Sequence, residues 1–279
     1  MRLGWSPGQS SSRMKRLAVI TFIVIIAVYA YIYFYQPFSS FWNDLLSNVL
    51  SEIASLASAL TATMVWAYYD KSDSPRRVWN YFAFGLWLWF AGELAWGYLN
   101  MTVGEVATGV PDFFWIIAYF FIGQALLQQY RILFRPTMHE LFGRALVMAA
   151  SVFALTLLVF LYFQPIAESS SFLETLVIAF YPSADLTLAL AALWLARSFQ
   201  GGALGRPWIG LLVFTFSDWT NAWLQFSGIY AWSLEQGNLL STFSDILYVV
   251  AYLALAYGAF SKWIFLKYGL RPSAAGKIP

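Results

Sequence analysis

The chain has 279 residues and a formal net charge of +2; 60% of its residues are hydrophobic, 20% aromatic and 11% charged. Soluble domains carry charge on about a quarter of their residues, so this composition excludes a soluble globular protein and points to one embedded in a membrane. With no Cys and a single His, His139, it also excludes disulfides, thiolate chemistry, iron–sulfur ligation and His-ligated haem, and no cofactor is expected.

Residues 1–16, rich in Ser and Arg, read as a flexible cytoplasmic leader. Apolar runs of roughly 20 residues, the length that crosses a bilayer as a helix, then predict eight spans at 17–36, 45–68, 79–99, 112–133, 143–163, 173–197, 207–229 and 241–263. Residues 268–279 read as a cytoplasmic tail. The first run follows a basic segment, as a signal peptide does, but its length and its Tyr-rich end, Tyr29 to Tyr35, favour a retained helix.

The 16 basic residues fall on one side of these spans. Arg2, Arg13, Lys15 and Arg16 precede the first; Lys71, Arg76 and Arg77 follow the second; Arg131, Arg135 and Arg144 surround the fourth connection. Arg197 and Arg206 bracket the sixth, and Lys262, Lys267, Arg271 and Lys277 end the chain. The alternate connections carry only Asp44, Glu105, Glu168, Glu174 and Glu235. By the positive-inside rule both termini are cytoplasmic, with the plasma membrane as the expected location. Lys262 and Lys267 are read at the inner boundary, which leaves no mid-membrane Lys for a retinal Schiff base. The basic residues form membrane flanks and no dense stripe, so the lipid bilayer and not nucleic acid is the expected partner.

The chain also reads as two copies of one plan. The first span ends Tyr33-Phe34-Tyr35-Gln36-Pro37 and the fifth Tyr162-Phe163-Gln164-Pro165; the fourth begins at Asp112, seven residues before Tyr119, and the eighth at Asp245, seven before Tyr252. Between these anchors Glu52 matches Asp185, and Glu93 approximately matches Asp218. Two four-helix halves, 17–136 and 145–267, follow, and an even number of crossings gives them one orientation. Such parallel repeats imply a pseudo-two-fold axis along the membrane normal.

Glu52, Glu93, Asp185 and Asp218 fall within spans, and Asp112 and Asp245 at the outer starts of theirs. An ionised carboxylate at the bilayer centre costs about 2.5–3.5 kcal/mol or more, so these groups should face a bundle interior or a wet cavity. Helical spacing agrees: Thr215, Asp218, Asn221 and Gln225 share one stripe, as do Trp89, Glu93, Trp96 and Asn100, and Asn48, Glu52 and Ser55. Together they predict an outward-facing acidic, aromatic cavity, to which Trp115, Tyr119, Tyr181, Tyr248, Tyr252 and Trp223 add rings. Structural roles compete. Asp112 and Asp245 fit helix capping, and the other acids fit interhelical hydrogen bonding. Trp42, Trp66, Trp79, Trp208, Trp232 and Trp263 fit an interfacial belt. Pro182 predicts a kink or break near Asp185.

Gly92-Glu93 with Trp96 and Tyr98, Pro111-Asp112 with Trp115 and Tyr119, Tyr181-Pro182 with Asp185, Asp218 with Gly228 and Tyr230, and Asp245 with Tyr248 and Tyr252 form an ordered series. Over about residues 45–260 this series resembles the multi-helix membrane input modules that precede bacterial and archaeal diguanylate cyclases and sensor histidine kinases. The resemblance implies sensing of an external or membrane-dissolved signal. The chain departs from that pattern by ending soon after the eighth span, so the expectation is a stand-alone module working through a cytoplasmic or membrane signalling partner.

The leading expectation is a non-enzymatic receptor that holds a small cationic or hydroxylated ligand through Glu93, Asp185 and Asp218. The alternative is a secondary transporter using the same acids for protons or cations. A third reading, an aspartyl hydrolase with Asp185 and Asp218 as its dyad, lacks the Gly-Asp motif of known intramembrane examples.

Overall fold

A computed structural model describes residues 7–104, 108–134, 150–156, 172–200, 202–230 and 238–269. Among them every regular element is a helix. These are α1 (Pro7–Tyr35), α2 (Ser40–Tyr68), α3 (Ser74–Thr102), α4 (Val110–Phe134), α5 (described over 150–156), α6 (Phe172–Ser198), α7 (Arg206–Phe226) and α8 (Leu239–Gly269). Five of them, α1, α2, α4, α6 and α8, are long and apolar enough to cross a membrane, the pattern of a multi-pass membrane protein.

The helices match the apolar runs closely, with informative differences at their ends. Helix α1 begins at Pro7, so it takes in ten residues of the expected flexible leader. Helix α7 stops at Phe226, three residues early, because Gly228 takes φ 67° and lets the amides of Ile229 and Tyr230 turn back to the Leu224 carbonyl. Helix α6 runs through Pro182 without a break. Most of the 143–163 run, the Tyr162 to Pro165 half of the repeated motif, His139, Trp232 and the 270–279 tail lie outside the described residues.

Six helices close into a ring in which each packs on the next: α2, α3, α4, α6, α7, α8 and back to α2. Helix α1 lies outside, against α2 and α8. Phe153 of α5 meets Phe180 of α6 at 5.8 Å between ring centroids. The outer face of α1 presents Leu17, Ile20, Ile23, Val24, Val28 and Phe34, an apolar surface suited to lipid.

Because lipid tails are as apolar as the core, small residues and close backbone approach do much of the work of holding such helices together. Gly210 of α7 and Gly258 of α8 make that approach. A Cβ on Gly258 would come within 2.8 Å of the Arg206 carbonyl and of Pro207 Cα, and one on Gly210 within 2.8 Å of the Ala254 carbonyl. Ala54, Ala59, Ala62, Ala118, Ala125, Ala251 and Ala259 fill the other tight contacts and are fully or almost fully buried.

Among the described residues Lys71, Arg76, Arg77 and Arg131 gather at one end of the bundle. There the Tyr68 hydroxyl donates 2.7 Å to the Leu266 carbonyl, and Trp79 and Trp208 pack at 6.4 Å. Both of these Trp side chains, expected in an interfacial belt, are fully buried between α3, α7 and α8. Lys262, expected at the boundary, is buried as well: it lies seven residues, or about 10 Å, before the end of α8. Its Nζ sits 4.7 Å over the Trp79 ring. A Trp–Lys contact across two helices is invisible to a rule that reads each end alone.

Candidate functional site

Three carboxyls converge from three helices of the bundle. Glu93 lies nine residues before the end of α3, Asp218 eight before the end of α7, and Asp185 thirteen after the start of α6. At 1.5 Å per residue this puts them about 12–20 Å below the end of the bundle opposite the basic one. Asp185 is fully buried and Glu93 almost so, while Asp218 is partly exposed.

Tyrosine hydroxyls are their partners. Tyr252 of α8 donates 2.8 Å to Glu93 Oε1, and Tyr248, one turn earlier, donates 3.0 Å to Asp218 Oδ1. The Tyr119 hydroxyl on α4 lies 2.6 Å from Asp185 Oδ1 and 2.5 Å from Asp218 Oδ2. The Asp185 and Asp218 carboxyls also meet each other directly. Asp185 Oδ2 is buried with no donor. A phenol carries one proton and can donate to one acceptor only. Both Tyr119 contacts are therefore hydrogen bonds only when one of the two carboxyls also carries a proton. No Lys, Arg or His is a partner of the three acids among the described residues.

Aromatic rings wall this cluster. Trp89 meets Tyr119 at 4.9 Å and Phe214 at 4.8 Å, both edge to face, and Phe214 packs on Tyr252 at 5.3 Å. Trp115 lies against Tyr181 at 6.3 Å and covers Gly92, where a Cβ would come within 2.4 Å of its indole nitrogen. The Gly92-Glu93 pair is thus explained locally: glycine admits the indole, and the next residue turns its acid toward α8. The indole nitrogen of Trp115 is buried without a hydrogen-bond acceptor.

The remaining expected residues divide into three groups. Asp112 sits at the start of α4, where Oδ2 accepts the Gly109 amide at 2.6 Å in a helix-start contact, while Oδ1 accepts the Tyr181 hydroxyl of α6. Capping and interhelical bonding are both in use. Asp245 of α8 accepts Tyr230 at 2.7 Å, with Tyr33 of α1 alongside, and Asn221 donates 3.2 Å to Ser244. Burial first, and the Asp245 carboxylate next, push the Tyr230 hydroxyl well above its ordinary range. Gln225 is exposed and donates to Asn221. Glu52 is half-buried and its Oε1 lies over Gly97 of α3, while Trp96 is half-buried and Trp223 faces outward.

The structure thus brings Glu93, Asp185, Asp218, Tyr119, Tyr248, Tyr252, Trp89, Trp115, Tyr181 and Asp112 into one connected region. Asp245, Asn221 and Gln225 lie in a second group around Tyr230. Tyr29 and Tyr33 belong there too, joined at 3.1 Å through their hydroxyls. Their i, i+4 spacing on α1 was the signal for them, since it puts two phenols on one face. No group of three or more potential metal ligands is found among the described residues.

Comparison of the chain with protein-family models, with curated proteins and with solved structures found no match.

Proposed function

We propose that the protein is a non-enzymatic sensor or receptor-like module of the plasma membrane. In this reading it has eight spans in two parallel four-helix repeats and cytoplasmic termini. A small external or membrane-dissolved ligand, cationic or hydroxylated, engages the acids Glu93, Asp185 and Asp218. The observation that carries this reading is the convergence of three carboxyls from α3, α6 and α7 on tyrosine hydroxyls, with no cationic partner among the described residues. Acids without a fixed counter-charge in an apolar bundle attract a cation or a hydroxyl donor, and the surrounding rings supply cation–π or stacking surface.

The helix ring supports the repeat. Under the correspondence α2 to α6, α3 to α7 and α4 to α8, the α4–α6 contact becomes the α8–α2 contact, and both occur. Tyr252 to Glu93 and Tyr119 to Asp218 become the same relation, each joining one half to the other. A ligand that takes the place of a tyrosine hydroxyl at either acid changes what holds the halves together, a route from site to cytoplasmic connections. Native mass spectrometry of the protein in lipid nanodiscs tests this. A small molecule bound to wild type and lost in Asp218→Asn supports a receptor, and a ligand response left intact in both Asp218→Asn and Asp185→Asn refutes the site.

One observation favours the second reading, a proton- or cation-coupled transporter: the Asp185–Tyr119–Asp218 group needs a proton of its own to complete its hydrogen bonds. Proton flux into proteoliposomes that collapses in Asp218→Asn places transport ahead of sensing. Absence of flux in wild type removes it.

A further inference from the structure

A cavity of about 920 Å³ opens at the basic end, between the α2–α3 turn and the last turn of α4. Four cations line it, Lys71, Arg76, Arg77 and Arg131, against a single carboxylate, Asp73. That carboxylate is engaged locally, since Oδ2 accepts the Asp70 amide at 2.9 Å. We propose that this cavity binds a phosphate-bearing anion, either the headgroup of an anionic phospholipid or a soluble phosphate.

Three features of the cavity fit that chemistry. Arg76 is held in place: its guanidinium donates to the Tyr69 carbonyl and lies 5.0 Å over the Trp66 ring. A guanidinium so fixed presents its remaining N–H groups as a planar fork matched to phosphate oxygens. Lys71, Arg77 and Arg131 are exposed around it and complete the ring of charge from three separate segments. Second, the 29-residue helix α3 starts here, and its N-cap residue Asp73 makes no side-chain bond to the first-turn amides. Pro75 has no amide hydrogen and the Arg76 amide already donates to the Asp73 carbonyl at 3.0 Å, so what the helix adds to the cations is the positive end of its dipole and the Ser74 amide. Third, Trp66 and Ile132 give the cavity an apolar wall. Basic pockets between helices at a membrane boundary suit anionic headgroups for this reason.

The test uses the full chain in nanodiscs and native mass spectrometry. In discs of phosphatidylcholine with phosphatidylglycerol, wild type retains phosphatidylglycerol, and Lys71→Gln/Arg77→Gln retains several-fold less. Lys71→Arg/Arg77→Lys, which keeps the charge, stays close to wild type. In discs of phosphatidylcholine alone, inorganic pyrophosphate is the soluble probe. Pyrophosphate held by wild type and lost in the Gln variant assigns the cavity to a soluble phosphate, and retention of phosphatidylglycerol alone assigns it to lipid. Equal retention of both probes by wild type and the Gln variant overturns the proposal. So does an equal loss in Lys15→Gln/Arg16→Gln, which removes the same charge from α1.

Discussion

Tyr252 of α8 donates a 2.8 Å hydrogen bond to Glu93 of α3, joining residues 159 apart in the chain. Its counterpart is Tyr119 of α4, whose hydroxyl lies 2.5 Å from Asp218 of α7. Each tyrosine stands seven residues after an acid of its own helix: Tyr119 after Asp112 in the first turn of α4, and Tyr252 after Asp245, which lies six residues inside α8 and not at the helix start expected of it. Two helical turns separate each tyrosine from that acid and bring its hydroxyl to the depth of the buried carboxyls.

The Glu93 side chain is 6% exposed, so no solvent replaces a lost partner. Tyr252→Phe should lower stability by about 1–3 kcal/mol, the cost of leaving a buried acceptor unmatched. Thermal unfolding in nanodiscs measures it. Adding Glu93→Leu to Tyr252→Phe should recover part of the loss, since both polar partners are then gone. A Tyr252→Phe melting curve superimposed on wild type would show that the bond does not form.

Tyr119 serves two acids at once, so the effects of Tyr119→Phe and Asp185→Asn should not add. A double-mutant cycle on unfolding free energy should give a coupling of about 0.5–3 kcal/mol. Strict additivity would mean that the three groups do not act together.

The α7–α8 seam depends on Gly258. Any side chain there meets the backbone of Arg206 and Pro207 at 2.8 Å, and backbone cannot rotate aside. Gly258→Val should cost about 1–3 kcal/mol by overpacking. Gly123→Ala, at a site with open space around it, is the matched control and should be close to neutral. Equal melting temperatures for the two variants would argue against the close crossing.

Helix positions were legible because apolar runs and basic flanks are properties of consecutive residues. The inward direction of Glu93, Asp185 and Asp218 was legible from spacing on one helix. Their partners were not, since periodicity gives a face and not the neighbour across it. The repeat came nearest, because it aligned Tyr119 with Tyr252 and so marked two phenols at one depth. Trp79 and Trp208 misled for the same reason: a Trp near a helix end reads as interfacial until a second helix covers it. The basic cavity stayed hidden because Arg131 reaches Lys71 and Arg77 only through the α3–α4 packing.

Lys262 has no carboxylate partner among the described residues; its ammonium meets only the Trp79 face. Such a contact contributes about 0.5–2 kcal/mol, whereas removing an ammonium from water costs several kcal/mol. Lys262→Met, which keeps the length and fills the same space, should therefore leave stability unchanged or raise it. A clear fall in melting temperature would show that the charge has a stabilising partner after all.

The chain has no cysteine, so single cysteines report the sides of the membrane without background. Ser72 and Gly202 lie exposed in the turns that precede α3 and α7, at the basic end; Val103 and Ser227 lie exposed just after those same helices end. If the helices alternate across the bilayer, Ser72→Cys and Gly202→Cys should share one accessibility, and Val103→Cys and Ser227→Cys the opposite one. The positive-inside rule adds the sign: a membrane-impermeant maleimide on intact cells should label only the second pair, and the first only after permeabilisation. Labelling of Ser72→Cys on intact cells would invert the molecule and turn the basic cavity outward. Labelling of Ser72→Cys and Val103→Cys from the same side would remove α3 from the membrane, and with it the intramembrane setting of Glu93.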